Sequence, residues 1–396
     1  MYSYDEVITY CREEDVKFIR LAFCDLAGNQ KNIAIMPTEL ERAFRYGISI
    51  DASAIPGFGS EVKSDLFLFP DPATLSVLPW RPVEGRVIRM FCDIRYPDGR
   101  PFRRDSRWLL KQAIAEADKM GITCYFGVEF EFYLFQTDES GAATHTPFDR
   151  ASYMDIAPED RGENIRREIC LALENMGIRP ESSHHEEGPG QNEIDFRYSD
   201  ALTSADNAVT FKSVVKTIAM QNGLFACFSP KPLPTESGNG LHINVSIRSA
   251  GERADTDAFM AGVLAHAREF SAFLNPTEES YRRLGEKKAP RYVTWSSENR
   301  SQLIRIPAAR DEYVRFELRS PDPTANPYLA YALLIYAGLD GIQNGTPLPP
   351  PLDLNLYTAD PAVTDKLTAL PTSLQEALDL ARESGLIRRY LPDILD

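Results

Sequence analysis

The chain has 396 residues, a formal net charge of −15, a hydrophobic fraction of 43% and a charged fraction of 26%. This composition excludes a disordered or fibrous protein, and the acidic balance excludes nucleic acid as the expected partner. Six cysteines without a C-x-x-C pair argue against a zinc site or a disulfide framework. We expect a cytoplasmic protein with neither a signal peptide nor a membrane span.

The first 100 residues predict a small domain of short strands. Residues 16–36 have the pattern of two strands joined by a turn at 27–29, and a short helix is expected to begin at Pro37. Strand-like segments surround Phe67 and Val87 in a region rich in Pro and Gly. The polar run 97–106 is the best boundary, so residues 1–100 and 101–396 are predicted to form separate domains.

The remainder alternates strands with longer helices, and the coarse fold class is α+β with a large C-terminal domain. Strands are predicted near residues 122–135, 178–198, 223–230, 240–248, 301–306 and 312–319, and helices near 162–176, 204–222, 255–274 and 325–342.

Four of these strands place chemically active side chains on one face, because successive strand residues point to opposite sides. The polar positions that alternate with apolar ones are Glu129 and Glu131, Glu193 and Asp195, His242, Asn244 and Ser246, and Arg315, Glu317 and Arg319. A sheet with one solvated face is the simple alternative. Nearly all of these residues, however, are metal ligands or anion binders, which favours an active site.

Clustered carboxylates repel each other unless cations separate them. Five glutamates and one histidine suit two divalent ions, and hard oxygen ligands favour Mg²⁺ or Mn²⁺. The pair His184-His185, which precedes Glu186, strengthens the prediction of a metal site. We expect one of these two histidines to be structural.

Basic residues are concentrated between positions 282 and 319, in an otherwise acidic chain. They are Arg282, Arg283, Lys287, Lys288, Arg291, Arg300, Arg305, Arg310, Arg315 and Arg319. A solvated charged face is the alternative to a pocket for phosphates and carboxylates.

Two metals with convergent arginines indicate phosphoryl transfer from a nucleotide. The residues alone leave open a two-metal transferase or ligase and a two-metal phosphatase.

Six segments, in this order, resemble the glutamine synthetase family of the bacterial type I kind, over almost the whole chain. They are I-D-A-S-A-I-P-G-F, G-V-E-F-E-F, H-H-E-E-G-P-G-Q-N-E-I, K-P-L-P-T-E-S-G-N-G-L-H, N-R-S-Q-L-I-R-I-P and F-E-L-R-S-P-D-P-T-A-N-P-Y-L. The resemblance implies a small N-terminal β-grasp-like domain and a large C-terminal catalytic domain. In the latter, a curved antiparallel sheet flanked by helices would form a two-metal funnel.

The resemblance also implies site residues. One Mg²⁺ or Mn²⁺ would be held by Glu131, Glu186 and Glu193, and a second by Glu129, His242 and Glu317. Gly238, Arg283, Arg300 and Arg319 would bind the substrate amino acid and its phosphorylated γ-carboxylate, with Arg300 taking part in catalysis. Asn244, Ser246, Arg305 and Arg315 would contact ATP, and Asp51 of a neighbouring subunit would hold and deprotonate ammonium.

The implied enzyme is an ATP-dependent glutamate–ammonia ligase. ATP phosphorylates the γ-carboxylate of glutamate, and an amine then displaces phosphate. The implied assembly is a homo-oligomer, a hexameric ring with active sites between subunits, for which a stacked dodecamer is an alternative. The chain ends earlier than most relatives, from which we expect weaker stacking of two rings.

One departure concerns the mobile flap of the family, which reads R-L-G-E-K-K-A-P here. Lys288 stands where the family has a glutamate that helps to accept the ammonium proton, and Glu286 is the candidate substitute. Ser237 occupies a position usually filled by asparagine. The altered flap keeps two alternatives open: a ligase that joins glutamate to an organic amine, and a non-catalytic oligomer with a structural or sensing role.

Overall fold

A computed structural model describes residues 2–59, 64–81, 84–249 and 254–395. In its N-terminal part, short strands and two helices follow one another along the chain. They are α1 (Tyr4–Glu13), β1 (Val16–Cys24), β2 (Gln30–Ile35), α2 (Leu40–Tyr46), β3 (Ile48–Asp51), β4 (Asp65–Pro70), β5 (Ser76–Val77) and β6 (Arg86–Arg95).

Among the described residues these strands form a six-stranded sheet in the order β2-β1-β6-β4-β3, with β5 added to β6. Strands β1 and β6 run parallel, whereas β2 and β4 pair with them antiparallel. Buried side chains such as Ile19, Leu21, Leu68 and Met90 give this part a hydrophobic core of its own. The predicted turn at 27–29 and the short helix after Pro37 are both present.

The second part contains longer helices between the strands of a larger sheet. Its elements are α3 (Ser106–Lys119), β7 (Ile122–Thr137), β8 (Ala143–Pro147), α4 (Glu163–Asn175), β9 (Pro180–His185), β10 (Gln191–Asp200), α5 (Ala201–Gln221), β11 (Leu224–Cys227), β12 (Leu241–Ser249), α6 (Thr256–His266), α7 (Ser271–Leu274), α8 (Glu278–Arg283), β13 (Trp295–Ser297), β14 (Ile304–Ile306), β15 (Phe316–Leu318), α9 (Pro327–Asn344), α10 (Pro361–Thr364), α11 (Leu374–Glu383) and α12 (Gly385–Tyr390).

Within the described ranges the larger sheet has nine strands in the order β13-β14-β15-β12-β7-β10-β9, and β8 and β11 pair with β7. Strand β7 is central and pairs antiparallel with β10 and β12. The predicted α+β class is confirmed. The sheet is mixed rather than wholly antiparallel, because β13 and β14 run parallel.

Helices α5 and α9 cover the apolar face of the large sheet. Phe130 of β7 stacks on Phe211 of α5 with ring centroids 4.8 Å apart, and Phe126 stacks on Tyr331 of α9 at 4.2 Å. Burial of these rings removes one face of β7 from water, which is the main driving force for this arrangement. The alternating polar residues therefore face the other side, where the strands surround a cavity.

The two sheets meet at a buried arginine. Arg107 of α3 donates two hydrogen bonds of 3.0 Å to Asp206 of α5, and also binds Asp71 and Asp93 of the N-terminal part at 2.9 and 3.0 Å. Its side chain is 4% exposed. A buried cation surrounded by three carboxylates is strongly favoured in one geometry, which fixes the N-terminal sheet against the catalytic part of the chain.

Several helices of the described residues were not predicted from the sequence, among them α1, α11 and α12. Helix α1 buries only Val7 and Cys11, so its apolar stripe is narrow, and α11 and α12 lie in the polar C-terminal region. The predicted helix 255–274 is two helices, α6 and α7. Among the helices within the described ranges, none combines the length and the apolar character that crossing a membrane requires.

Candidate active site

The strand register aligns the polar side chains of the large sheet in rows. His242 of β12 and Asp195 of β10 are the register partners of Glu129 on either side of β7. Glu131 pairs with Glu193, which in turn pairs with His184 of β9. Side chains of register partners lie on the same face, so the alternation seen in the sequence converges in space.

One group of potential metal ligands is formed by Glu129, His242 and Glu317, whose ligand atoms all lie within 4.8 Å of one another. His242 Nδ1 lies 3.2 Å from Glu129 Oε2 and 3.6 Å from Glu317 Oε1. Asn244 Nδ2 donates a hydrogen bond of 2.9 Å to the other oxygen of Glu129. This arrangement brings together the three residues that the sequence assigned to the second metal.

Among the described residues, three further groups share Glu193. It meets Glu131 and His242 in one, His184 and Glu186 in another, and Glu129 and Asp195 in the third, with ligand atoms within 4.8 Å in each. His184 Nε2 lies 3.5 Å from Glu186 Oε1 and 3.9 Å from Glu193 Oε1. The predicted ligands of the first metal are thus neighbours, and His184 joins them.

His185 is the structural member of the histidine pair. Its side chain is fully buried, with Nδ1 2.6 Å from the carbonyl oxygen of Glu186 and Nε2 2.9 Å from Asp149 Oδ1. Both ring nitrogens are therefore engaged away from the cavity. The contact with the Glu186 carbonyl holds the backbone that carries this candidate ligand.

The carboxylates on one side of the group repel each other. Burial raises the pKa of Glu186 to about 7, and the nearby Glu131 carboxylate acts in the same direction. Burial and the negative charges of Asp195 and Glu131 hold the pKa of Glu193 well above its usual value. Buried carboxylates that raise each other's pKa in this way favour binding of a cation between them.

Glu129 lies in a different environment from Glu186 and Glu193. Burial by itself would raise its pKa, but hydrogen bonds from His242 and Asn244 outweigh burial and lower the pKa to about 2. Glu129 is therefore ionised throughout the physiological range. It provides a fixed negative charge at the centre of the sheet.

The carboxylates open into a cavity of about 490 Å³ that also receives basic side chains from the C-terminal part. The arginines that line it are Arg283, Arg300, Arg305 and Arg319. Arg319 is 1% exposed and donates to Glu317, and its Nε donates to the carbonyl oxygen of Arg300 over 3.1 Å. Arg305 Nε lies 3.0 Å from Glu317 Oε2. Arg283 and Arg319 are buried and Arg305 is half-buried, so these three form a pocket rather than a solvated charged face, and Arg300 lines the pocket with an exposed side chain.

Gly238 also lines the cavity, at a point where the backbone comes close to Arg283. A Cβ at this position would lie 2.4 Å from the carbonyl oxygen of Pro230 and 2.9 Å from Arg283 Cγ. Such distances are too short for any side chain, so glycine is required by the close approach. Arg283 is held on its other side by a hydrogen bond of 2.8 Å to the carbonyl oxygen of Ser320.

Three of the predicted nucleotide contacts lie together in a smaller cavity of about 170 Å³. Asn244, Ser246 and Arg315 line it, and Arg315 Nε donates to Asn244 Oδ1 over 2.8 Å. Glu129 and Asp195 line both cavities, so the two are adjacent. The fourth predicted contact, Arg305, lines the larger cavity.

Among the described residues, two predicted site residues line neither of these cavities and belong to none of the ligand groups. Asp51 is exposed at the end of β3, where its Oδ1 accepts hydrogen bonds from the backbone and the hydroxyl of Ser53. Glu286 has a side chain that is 61% exposed and pairs with Lys231, with Oε2 3.3 Å from Nζ. Lys288, two residues later, does line the cavity.

Among the residues of the cavity wall that sequence reasoning missed, Tyr153 and Glu187 are the two that contact Lys288. Tyr153 belongs to an irregular loop without periodicity, and no pattern could have indicated it. Glu187 follows Glu186 directly in H-H-E-E, so a second carboxylate at this point was visible in the sequence. Its importance appears only in its contact with Lys288, which is 101 residues away (288 − 187).

Comparison with family models assigns both parts of the chain. Residues 103–395 match the model described as "Glutamine synthetase, catalytic domain". Residues 15–97 match the model described as "Glutamine synthetase, beta-Grasp domain".

Curated relatives are similar over nearly the full length. The glutamine synthetase of Clostridium saccharobutylicum is 44% identical over 407 aligned positions, which cover 99% of this chain and 92% of the relative. The glutamine synthetase of Methanosarcina mazei is 44% identical over 402 positions, covering 98% and 90%. That of Staphylococcus aureus strain MW2 is 42% identical over 406 positions, covering 98% and 91%.

Solved structures share the fold. One described as "Apo GmaS without ligand" has a TM-score of 0.89 and 31% identity, covering 98% of this chain and 93% of that one. One described as "CryoEM Plasmodium falciparum glutamine synthetase" has a TM-score of 0.88 and 23% identity, covering 100% and 94%. The second likeness concerns the fold alone.

Proposed function

This chain belongs to the glutamine synthetase family, and from that premise we propose that it is an ATP-dependent glutamate–ammonia ligase. The observation that carries the proposal is a single cavity that joins the acidic ligand groups to four arginines. Anionic substrates need the arginines, and a polyphosphate needs the cations that the carboxylates would bind. The likeness to enzymes named glutamine synthetase favours catalysis over a purely structural role.

The donor set fits Mg²⁺ or Mn²⁺, because it consists of carboxylates with few imidazoles and no thiolate. The raised pKa values of Glu186 and Glu193 support the same conclusion, since a cation would relieve the repulsion that contributes to them. One ion would be held by Glu131, Glu186 and Glu193, and the second by Glu129, His242 and Glu317. When bound, such ions neutralise charge on the polyphosphate and on the transferred phosphoryl group.

The buried arginines would hold glutamate and the group being transferred. Arg283 and Arg319 are fixed by backbone carbonyls and by Glu317, so they need little reorganisation when an anion arrives. Arg300 lines the same cavity and would stabilise the phosphoryl group as charge develops on it. Gly238 would leave room for the substrate amino acid beside Arg283.

The nucleotide would lie against the strands that carry Asn244, Ser246 and Arg315. Their cavity adjoins the carboxylate group through Glu129, so the polyphosphate of a nucleotide placed there would extend towards the main cavity. Arg305, which lies 3.0 Å from Glu317, would contact the polyphosphate at the boundary. This placement puts the γ-phosphate beside Arg300 and Arg319.

The reaction would proceed in two steps with balanced bonds. A γ-carboxylate oxygen of glutamate forms a bond to the γ-phosphorus of ATP, and the bond from that phosphorus to ADP breaks. Ammonia then attacks the carbonyl carbon of the γ-glutamyl phosphate, and phosphate leaves with the carboxylate oxygen, which yields glutamine. Asp51 of a neighbouring copy would receive the proton that ammonium loses.

The proposed assembly is a hexameric ring with sites between subunits, or two such rings stacked as a dodecamer. Asp51 supports it, since it is exposed and lies outside the cavity of its own chain. Two apolar side chains that line the cavity are also exposed in the single chain, Tyr153 by 43% and Met154 by 59%, and a neighbouring subunit would cover them. The six cysteines are free, which supports a reducing, cytoplasmic location.

A second candidate function is a ligase that joins glutamate to an organic amine. Lys288 favours it, because a cation lines the cavity where the family has a carboxylate. The two candidate functions differ only in the amine acceptor, so identifying the acceptor that the enzyme uses distinguishes between them.

The test measures phosphate release from ATP in the presence of glutamate and Mg²⁺ or Mn²⁺. One reaction contains no amine, and the others contain ammonium, methylamine, ethanolamine or putrescine. Mass spectrometry identifies the amide product. We expect release to depend on both glutamate and ammonium, with glutamine as the product. Release stimulated only by an organic amine would replace the proposal by the second candidate. Nucleotide binding without release in any mixture would overturn both.

A further inference from the structure

Three consecutive charged residues hold the loop 284–289 against the opposite wall of the cavity. Glu286 pairs with Lys231 at 3.3 Å, and Lys287 Nζ donates to the carbonyl oxygen of Thr235. Lys288 Nζ lies 2.8 Å from Glu187 Oε1. The loop is thus fixed by contacts within the protein, before any substrate is bound.

The pair of Lys288 and Glu187 stands at the boundary between two spaces. Both residues line the main cavity and also an outer pocket of about 530 Å³, to which Ser237, Glu236 and Tyr357 contribute. Glu187 is positioned from its other side, because Ser237 Oγ donates to Oε2 over 3.2 Å. One carboxylate therefore borders both the outer pocket and the place where a γ-carboxylate would be activated.

The chemistry around Lys288 Nζ is that of a site for a primary ammonium ion. Besides the Glu187 carboxylate, the face of the Tyr153 ring lies nearby, with its centroid 4.9 Å from Nζ. A carboxylate combined with an aromatic face attracts ammonium groups through charge and cation–π interaction. Here the group that fills the position is the ammonium of the protein's own lysine.

The backbone of the loop favours release of this lysine. Lys287 and Lys288 have φ values of 27° and 66°, in the left-handed region that L-residues seldom adopt. Such conformations are unfavourable for L-residues unless the surroundings hold them in place. The contacts of Lys287 and Lys288 therefore work against local strain, and a competing cation at Glu187 would free the loop.

We propose that Glu187 binds the acceptor amine as its ammonium ion, and that Lys288 occupies this position until the acceptor displaces it. The inference rests on the proposed function and adds to it a residue that determines acceptor affinity. The recognised chemistry is a cationic amine head, which ammonium and primary alkylamines share. Ser237 acts as a positioning residue, since its hydroxyl donates to the Glu187 carboxylate.

The test compares Glu187→Gln with Lys288→Met in steady-state kinetics, with ammonium and with methylamine as separate acceptors. Glu187→Gln is expected to raise the KM for the acceptor about tenfold, as expected for loss of one charged contact. Lys288→Met is expected to lower the same KM by about threefold, because the competing occupant is gone. The KM values for glutamate and ATP stay within about twofold in both variants.

The opposite directions of the two KM shifts distinguish binding of the acceptor by Glu187 from an ion pair that only holds the loop closed. If the ion pair only held the loop closed, both variants would break it and would shift the acceptor KM in the same direction. Glu187→Asp keeps the charge with shorter reach, so it is expected to give an intermediate KM. Glu236→Gln removes an outer-pocket carboxylate that lies 3.8 Å from Lys287 Nζ, so it is the matched control for weakening a loop contact without changing Glu187 or Lys288.

The outcomes also separate this inference from the proposed function. A wild-type enzyme that is active, with an acceptor KM that neither variant changes, would overturn the role of Glu187 alone. A wild-type enzyme without amine-dependent phosphate release would overturn the proposed function and this inference together. The acceptor whose KM shifts in the variants, ammonium or methylamine, is the amine that Glu187 recognises.

Discussion

Glu131 of β7 and Glu193 of β10 are direct register partners, so two buried carboxylates face each other across neighbouring strands. Like charges in this position destabilise a sheet, because the two side chains point to the same face. Glu129 and Asp195 repeat the arrangement one pair further along. Divalent cations between the strands would bind the carboxylates of both pairs, and attraction to the cations would then outweigh the repulsion between the carboxylates.

Divalent metal ions should therefore stabilise the protein. Mg²⁺ or Mn²⁺ at about 100 times its Kd is expected to raise the free energy of unfolding by about 2.7 kcal/mol, measured by thermal unfolding. Glu193→Gln should unfold at a higher temperature than the wild type without metal, since the raised pKa of Glu193 makes folding require proton uptake that Gln does not need, and should respond less to metal. Glu41→Gln, on an exposed helix position, is the control. An unchanged melting temperature at millimolar metal would contradict the metal assignment.

Metal affinity should rise with pH. The pKa of Glu186 is raised to about 7, so this acid binds more protons in the folded than in the unfolded chain. The contribution of Glu186 to the free energy of unfolding without metal therefore falls as the pH rises from near 4.5 to near 7. In this range the Glu186 carboxyl group is ionised in the unfolded chain but still largely protonated in the folded one. Metal binding needs the ionised form and should release protons at pH 7.

The measurement for this prediction is proton uptake or release during a Mg²⁺ titration in weak buffer, repeated at several pH values. We expect release near pH 7, a higher affinity at pH 8 than at pH 6, and a smaller release in Glu186→Gln. Affinity that does not change over this range would show that the carboxylates are ionised without metal.

Gly238→Ala should impair glutamate binding. The new methyl group would collide with the Pro230 carbonyl oxygen and with Arg283 Cγ, at 2.4 and 2.9 Å, and would displace this arginine. We expect kcat/KM for glutamate to fall at least about tenfold, with a smaller change in the KM for ATP. Gly385→Ala is the matched control, since no atom lies within 4 Å of a Cβ there. Equal effects of the two substitutions would refute a specific role for the close approach.

Asp51 and Glu317 should act in trans. Asp51→Asn and Glu317→Gln are each expected to be nearly inactive as pure oligomers. When the two variants are mixed and reassembled, some sites contain both residues. Such a site forms where a subunit that retains Glu317 lies next to a subunit that retains Asp51. Random assembly should restore about a quarter of the wild-type activity in a cyclic ring. No recovery after verified subunit exchange would place Asp51 outside the active site.

The strands that build the candidate site could be predicted from the sequence because their periodicity is strict. Glu129 and Glu131 alternate with Val128, Phe130 and Phe132, which are at most 2% exposed. A one-residue shift in register would bury the charges and expose the rings, so a single arrangement is strongly favoured. The same argument holds for His242 and Glu317 in the neighbouring strands.

Loop contacts could not be predicted in this way. Glu187 and Lys288 meet because two loops without periodicity cross above the sheet, and nothing local in either segment specifies the partner. Glu286 shows the same limit: its position in the chain suggested a catalytic role, whereas its contact with Lys231 holds it outside the cavity. Helix α1 was missed because two buried residues give too weak a stripe.

The central claim is that glutamate is activated by transfer of phosphate to its γ-carboxylate. The most direct measurement uses glutamate labelled with ¹⁸O in that carboxylate, together with ATP, ammonium and Mg²⁺ or Mn²⁺, and follows the label by mass spectrometry. The account predicts one ¹⁸O atom in each phosphate released and one in each glutamine formed. Phosphate free of the label, alongside amide formation, would contradict it, because the carboxylate oxygen would then never have been bonded to phosphorus.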